Sequence, residues 1–327
     1  MAPGTAERLF SDGQRARLAA IARTDPELVA HDLHDPGYAA ALADAEVLLT
    51  CWGATPLTPE VLARAPKLRA VVHAAGSVKH HVTAACWDRG LLVSAAAGAN
   101  ALPVAEYTLA AILFAGKQVH RAARRYRELA GGDHDWRTEL HSSGNYRRTV
   151  GIVGASRIGR RVIELLRPFD VRVLLYDPYV SRTEAALLGA EPVGLTELCA
   201  RSSIVSVHAP QLPETRHMIG AAQLAAMPDG ATLINTSRGS LVDEAALLPH
   251  LRTGRLDGVL DVTEPEVPVA GSPLYDLPNV LLTPHLAGSF GNELHRMAEH
   301  ALDELERYAD GTPFTEAVHS DALGHSA

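Results

Sequence analysis

The chain is poor in cysteine. Its three cysteines, Cys51, Cys86 and Cys199, lie far apart and form no CxxC pair. That excludes a disulfide framework and a zinc-knuckle pattern, and it points to reduced, mostly buried thiols in a cytoplasmic protein. Excess positive charge is also lacking. Thirty Lys and Arg stand against 38 Asp and Glu, for a net charge of -8. Nucleic-acid binding needs a concentrated basic surface, so that class is set aside. The one basic cluster, Arg121, Arg124, Arg125 and Arg127, has the spacing of one helix side and reads as a solvated face or a subunit contact. Long apolar runs are missing too. The N-terminal "MAPGTAERLFSDG" has no apolar signal core. The most apolar helical run, 101–116, is interrupted by Glu106 and reads as too short to span a bilayer. Aromatics make up only 5% of the residues, yet the hydrophobic share is 47%, ample for a buried core.

What is present is alternation. A length of 327 residues suggests two domains. In the first hundred residues "EVLLTC" (46–51), "LRAVVHA" (68–74) and "LLVSAA" (91–96) read as buried strands. Helical patterns at 36–45, 58–65 and 82–90 lie around them. Continuous apolar strands separated by helices imply a parallel sheet covered on both faces. A long helical pattern then runs from 101 to 129, a candidate bridge between domains, followed by a polar, irregular stretch. A second alternating unit begins at Thr149. Strands are expected at 149–153, 171–176, 203–207, 231–235, 256–261 and 279–282, with helices at about 157–167, 182–188, 195–201, 219–226 and 243–252. A last helical pattern spans 292–311, and the tail after Pro313 reads as free to fray.

The second unit opens with "TVGIVGASRIGRR". A β-branched run, a glycine-rich turn and a helical pattern follow one another, as a helix N-terminus that holds a pyrophosphate requires. Gly154 and Gly159 stand at the first and third glycine positions of G-x-G-x-x-G, but Ser156 occupies the second. Serine is small, and its hydroxyl can donate to a phosphate oxygen. Asp177 ends the next strand, 23 residues after Gly154, near the spacing of the acid that binds the adenosine ribose. A carboxylate there accepts from both ribose hydroxyls and repels a 2′-phosphate, which favours NAD over NADP.

Three later segments place polar residues at strand ends: "NTSRGSLVDEAAL" (235–247), "GVLDVTEPE" (258–266) and "NVLLTPHLAG" (279–288). Arg238 is the candidate for gripping a carboxylate, because a planar guanidinium engages two oxygens at once. His285 is the candidate acid–base, since imidazole titrates near neutrality.

This set of motifs, in this order, resembles the D-isomer-specific 2-hydroxyacid dehydrogenase family over roughly residues 45–310. "HAAGSVKHHV", "GANALPVAEYTLA" and "HAPQLPETRHMIG" extend the likeness. The resemblance implies an α/β fold of two doubly wound domains. A flavodoxin-like substrate domain would comprise 1–102 and 292–327, and an inserted Rossmann NAD-binding domain 103–291. It implies hydride transfer between NAD(H) and a 2-keto or 2-hydroxy acid in a cleft that closes between the domains. It makes Glu266, rather than Glu264, the partner of His285, fixing its tautomer and raising its pKa. It implies cofactor contacts from Gly154, Ser156, Arg157, Ile158, Gly159, Asp177, His208, Thr215, Thr236, Ser237, Asp261, His285 and Gly288, with Asp261 on the nicotinamide side. The turn Ala75, Gly76, Ser77 takes the place of the family's substrate-carboxylate loop, beside Arg238. The segment 120–148 would reach a second subunit to give a symmetric homodimer. No metal, nucleic acid or membrane is implied. Two departures stand out: Thr263 replaces the family's usual aromatic, and "SVKHH" follows the carboxylate turn. An NAD(H)-sensing protein of the same fold with little turnover is the alternative. A formate-type enzyme is disfavoured by Glu266, where that branch has Gln.

Overall fold

The computed structural model describes residues 1–25 and 28–320. The chain divides into two compact units, one of Met1–Ala101 with the segment from Ser289, the other of Leu102–Gly288.

In the first unit β1 (Val47–Thr50), β2 (Ala70–His73) and β3 (Leu92–Ala95) form a parallel sheet in that order. Adjacent residues of one strand point to opposite faces, so each strand feeds two cores. Val71 and Val93 pack with Leu57, Val61 and Leu68 on one side. Val72, with Ala74 and Ala96 beyond the strand ends, packs with Leu9, Met297 and Leu302 on the other. Two helices near the N-terminus, Thr5–Leu9 and Asp12–Ile21, escape the sequence reading. The second is capped by Ser11 in a capping box with Gln14. It lies along the helix Leu294–Ala309, where Arg17 meets Glu299, Asp303 and Glu306. Residues 314–320 do not fray as expected, while the rest of the expected tail, 321–327, lies outside the described residues. Thr315 N donates to the Glu304 carboxylate at 3.0 Å, and Val318 N to Val93 O at 2.8 Å. The free edge of β3 and a buried carboxylate hold them.

In the second unit seven parallel strands stand in the order β10–β9–β8–β7–β4–β5–β6. They are β4 (Thr149–Val153), β5 (Arg172–Tyr176), β6 (Glu191–Pro192), β7 (Ile204–Val207), β8 (Thr232–Asn235), β9 (Asp257–Leu260) and β10 (Val280–Leu282). Only the two-residue edge strand β6 is absent from the sequence reading, because two residues carry no periodic signal. Val153, Leu174, Val205 and Leu233 face one core, and Ile152, Leu175, Ile204 and Ile234 the other. Chain order reverses between β4 and β7, so ligands are expected outside the carboxyl ends of these strands.

The long helical pattern at 101–129 is two helices, Ala97–Gly116 and Val119–Leu129. Its break has a physical cause. Gly144 N donates to Gly116 O at 2.7 Å, so a returning segment takes the carbonyl that a continued helix would bond four residues on, and Asn145 Nδ2 donates to Leu113 O at 3.1 Å beside it. A Cβ at Gly116 would overlap Asn145, and Gln118 turns left-handed at φ 52°. Starting at Ala97 rather than 101, the first helix has 20 residues. That corrects the expectation from length: by length and composition it could cross a membrane. Ala105, Ala111 and Ile112 instead sit in the core with Val150 and Ile152.

Candidate active site

The phosphate-type loop lies between β4 and the helix Arg157–Leu166. Gly154 has φ +96°, and a Cβ there would stand 2.6 Å from Ala209 N. A Cβ at Gly159 would run into Gly154 O. Both positions therefore demand glycine. Ser156 is different. Its φ of −62° and ψ of 176° suit any residue, and its Oγ accepts from Gly159 N at 3.3 Å as the helix N-cap. The hydroxyl proton stays available to a ligand at the helix N-terminus. Arg157 and Ile158 form the first turn of this helix, Arg157 exposed and Ile158 partly buried.

Asp177 follows β5. Its Oδ2 accepts from Ala155 N at 2.7 Å and its Oδ1 from Tyr179 N at 2.8 Å. The carboxylate thus anchors the glycine loop and retains further acceptor capacity.

At the end of β7, His208 is buried and bonds Ser206 Oγ through Nε2 at 2.9 Å. Its Nδ1 has no partner, and burial pushes its pKa down to about 3. The ring is neutral, and the His208 backbone lies against Gly154. The Thr215 hydroxyl is spent within its own loop, donating to Pro210 O at 2.7 Å. After β8, Thr236 bonds Thr108 at 2.9 Å, and Ser237 donates to Val207 O at 2.7 Å. These bonds fix the loop that carries Arg238. The guanidinium of Arg238 donates to Ser237 O at 2.7 Å, leaving donors for an anion. Burial holds its pKa below the usual arginine range, while the charge of Glu266 opposes that shift.

A Cβ at Gly239 would run into the backbone of Thr263, so the Arg238 turn packs on the loop after β9. Thr263 folds that loop. Its Oγ1 donates to Pro265 O at 2.7 Å and is 3.1 Å from Glu266 O. Glu266 Oε1 in turn accepts from His285 Nδ1 at 2.6 Å. Both side chains of this pair are exposed. Glu264 faces elsewhere, to Arg216 at 2.7 Å and His217 at 3.6 Å, and Arg216 holds its carboxyl below the usual range. His285 has a left-handed backbone, φ 55°. Asp261, buried, accepts from Thr283 Oγ1 at 2.5 Å, Leu286 N at 2.7 Å and Ala287 N at 2.9 Å. Its side chain organises the His285 loop, which ends at the partly buried Gly288.

In the first unit, Ala75, Gly76 and Ser77 form the turn after β2. Ala75 is buried, and a Cβ at Gly76 would stand 2.8 Å from Asn100 Nδ2. The sequence reading did not single out Asn100, Tyr107, Thr108 or Thr283. All four are ordinary helix or loop residues whose partners lie more than 20 positions away, so no local signal marks them.

Among the described residues no group of three His, Cys, Asp or Glu could hold a metal ion. Residues 109–287 match the profile of the NAD-binding domain of D-isomer-specific 2-hydroxyacid dehydrogenases. The chain is 37% identical over 281 residues to a D-3-phosphoglycerate dehydrogenase of Mycobacterium bovis, covering 85% of this chain and 52% of that one. It thus spans about half the length of several curated relatives it matches. A glyoxylate reductase of Korarchaeum cryptofilum is 36% identical, covering 78% of this chain and 77% of that one. The structure of a D-lactate dehydrogenase from Aquifex aeolicus, complexed with NAD and lactic acid, is 30% identical with TM-score 0.67, covering 86% of this chain and 87% of that one. With the seven-stranded sheet and glycine loop, these matches establish that the chain belongs to the D-isomer-specific 2-hydroxyacid dehydrogenase family.

Proposed function

We propose that the protein interconverts a 2-keto acid and its D-2-hydroxy acid with NAD(H). The observation that carries this is the His285–Glu266 bond of 2.6 Å beside the partly buried Arg238. Engagement of Nδ1 by Glu266 leaves Nε2 as the nitrogen that faces substrate. In reduction, Nε2 gives its proton to the carbonyl oxygen. In oxidation it takes the proton back. Arg238 holds the carboxylate and polarises the carbonyl with its fork of donors.

The residues fit a dinucleotide. Gly154 and Gly159 let the loop and the helix start close on each other where a Cβ would clash, and the helix Arg157–Leu166 starts directly from that loop with the positive end of its dipole. When bound, the nicotinamide supplies or accepts the hydride. Asp177 makes NAD the preferred cofactor, because its carboxylate receives ribose hydroxyls and repels a 2′-phosphate. We assign the exposed Tyr126 and Tyr146, in the segment 120–148, to the contact of a homodimer.

The test is NADH oxidation against glyoxylate, hydroxypyruvate, pyruvate and bulky aryl or branched keto acids. Saturable turnover of at least one acid, with the reverse reaction confined to D-hydroxy acids, is expected. Tight NADH binding without turnover on any acid would replace this reading with that of a cofactor-sensing protein.

A further inference from the structure

Adjacent residues of the helix Ala97–Gly116 reach two different loops of the second unit. Thr108 Oγ1 is 2.9 Å from Thr236 Oγ1, two residues before Arg238. Tyr107 OH is 3.0 Å from Thr283 Oγ1, two residues before His285. The second contact continues inward. Thr283 Oγ1 lies 2.5 Å from Asp261 Oδ1, and a carboxylate only accepts. Thr283 therefore donates to Asp261, and its lone pairs accept from the Tyr107 phenol. Asp261 is buried and gathers Leu286 N and Ala287 N, while His285 N donates to Asp261 O at 2.9 Å. The loop so held contains a histidine at φ 55°, a left-handed conformation uncommon for non-glycine residues and costly without support from its surroundings. Burial raises the Tyr107 pKa, so the phenol keeps its proton as the terminal donor of the chain.

We propose that Tyr107 is a positioning residue for the reaction. Its hydroxyl, through Thr283 and the Asp261 carboxylate, holds the strained loop that aims His285. The inference rests on the reading of His285 as acid–base. It also gives the helix a task. That helix begins in the first unit and continues in the second, and Tyr107 ties it to the loop that carries the proton.

The experiment uses the full chain with Tyr107→Phe, Thr283→Val, their combination and Thr283→Ser. Steady-state reduction of the keto acid turned over by wild type is followed with NADH titration and amide exchange of the peptide holding residues 283–288. Loss of one hydrogen bond should lower kcat about fivefold in Tyr107→Phe, with the NADH Kd within twofold of wild type. Exchange at Leu286 and Ala287 should speed up by a similar factor. Thr283→Val removes both bonds of that hydroxyl and should lower kcat at least as much as Tyr107→Phe. The double variant should add little, because the two act as one chain. Thr283→Ser, which keeps the hydroxyl, should retain activity. Unchanged kcat in Tyr107→Phe, additive losses in the double variant, or faster exchange with no change in kcat would overturn the proposal. His285→Ala separates the two levels. If it abolishes turnover while Tyr107→Phe is silent, only the positioning role falls. If His285→Ala stays active, or wild type turns over nothing, the reading of His285 falls. A positioning role in the reaction falls with it.

Discussion

Substitutions in the glycine loop separate three positions that a motif treats alike. Ser156 Oγ is the N-cap of the helix Arg157–Leu166 and accepts from Gly159 N at 3.3 Å. Ser156→Ala deletes that bond and should cost about 0.5–2 kcal/mol of stability, whereas Ser156→Gly should cost only a few tenths. For a domain of this size 1 kcal/mol moves Tm by about 2–4 °C, so calorimetry resolves the two. Both variants lose the hydroxyl that would donate to a phosphate. Glycine compensates by letting the backbone approach more closely, so NADH affinity in Ser156→Gly should stay within about threefold of wild type, and Ser156→Ala should lose about fivefold. Gly159→Ala is a different perturbation. Its Cβ meets Gly154 O, a backbone atom with no rotamer to yield, and overpacking of this kind costs about 1–3 kcal/mol. Gly154→Ala adds the strain of φ +96° to a contact of 2.6 Å with Ala209 N. Both glycine variants should lower NADH affinity more than tenfold in fluorescence titration. Two results would refute the reasoning. A Ser156→Ala protein with an unchanged Tm is not missing a cap. A Ser156→Gly protein that binds NADH ten times more tightly shows that the serine Cβ obstructs the cofactor.

Arg238→Lys keeps the charge but loses the fork, so keto-acid kcat/KM should fall about a hundredfold with NADH Kd nearly intact; full activity removes Arg238 from the mechanism. Glu266→Gln should lower reductive kcat/KM by up to about fivefold, modest because both members of the pair are exposed. Glu264→Gln, which breaks the pairs with Arg216 and His217, should leave the rate alone, and equal effects would show that Glu266 is not the partner. Asp177→Ala should weaken NADH binding about tenfold and narrow the gap to NADPH; an unchanged ratio places discrimination elsewhere. Burial keeps the pKa of His208 at about 3, well below its unfolded value. Above pH ~6.5 both states are neutral and the residue is silent. Below it the unfolded chain binds a proton that the fold refuses, so stability falls by about 1.4 kcal/mol per pH unit down to pH ~3. His208→Asn should flatten denaturant-derived stability over that window by about one proton, and an unaltered slope would mean that the native ring is protonated.

Among the described residues nine of the ten strands were legible in the amino-acid order, because a strand buried on both faces must be a continuous apolar run. The glycine loop was legible because Gly154 and Gly159 lie between such a run and a helical pattern. So were Arg238, Asp261 and His285, each at or just beyond the end of a strand, where parallel sheets bind ligands. Whether Ser156 weakens the loop was not legible, since the answer is a φ of −62° and a hydrogen bond to Gly159 N. The break at Gly116 was hidden because Asn145, which causes it, lies 29 residues on in sequence. The fate of residues 314–320 was hidden because β3 and Glu304 hold them. "TEPE" presents two carboxylates of equal chemistry; the family resemblance singled out Glu266, and the fold of Thr263 over Pro265 and Glu266 supplies the physical reason, with Glu266 at 2.6 Å from His285 and Glu264 on Arg216. Tyr107 gave no signal, because its meaning is a bond across 176 positions. Burial and periodicity are properties of neighbouring residues and can be read along the chain. The meeting of two side chains depends on every element that folds between them, and that the tertiary structure alone decides.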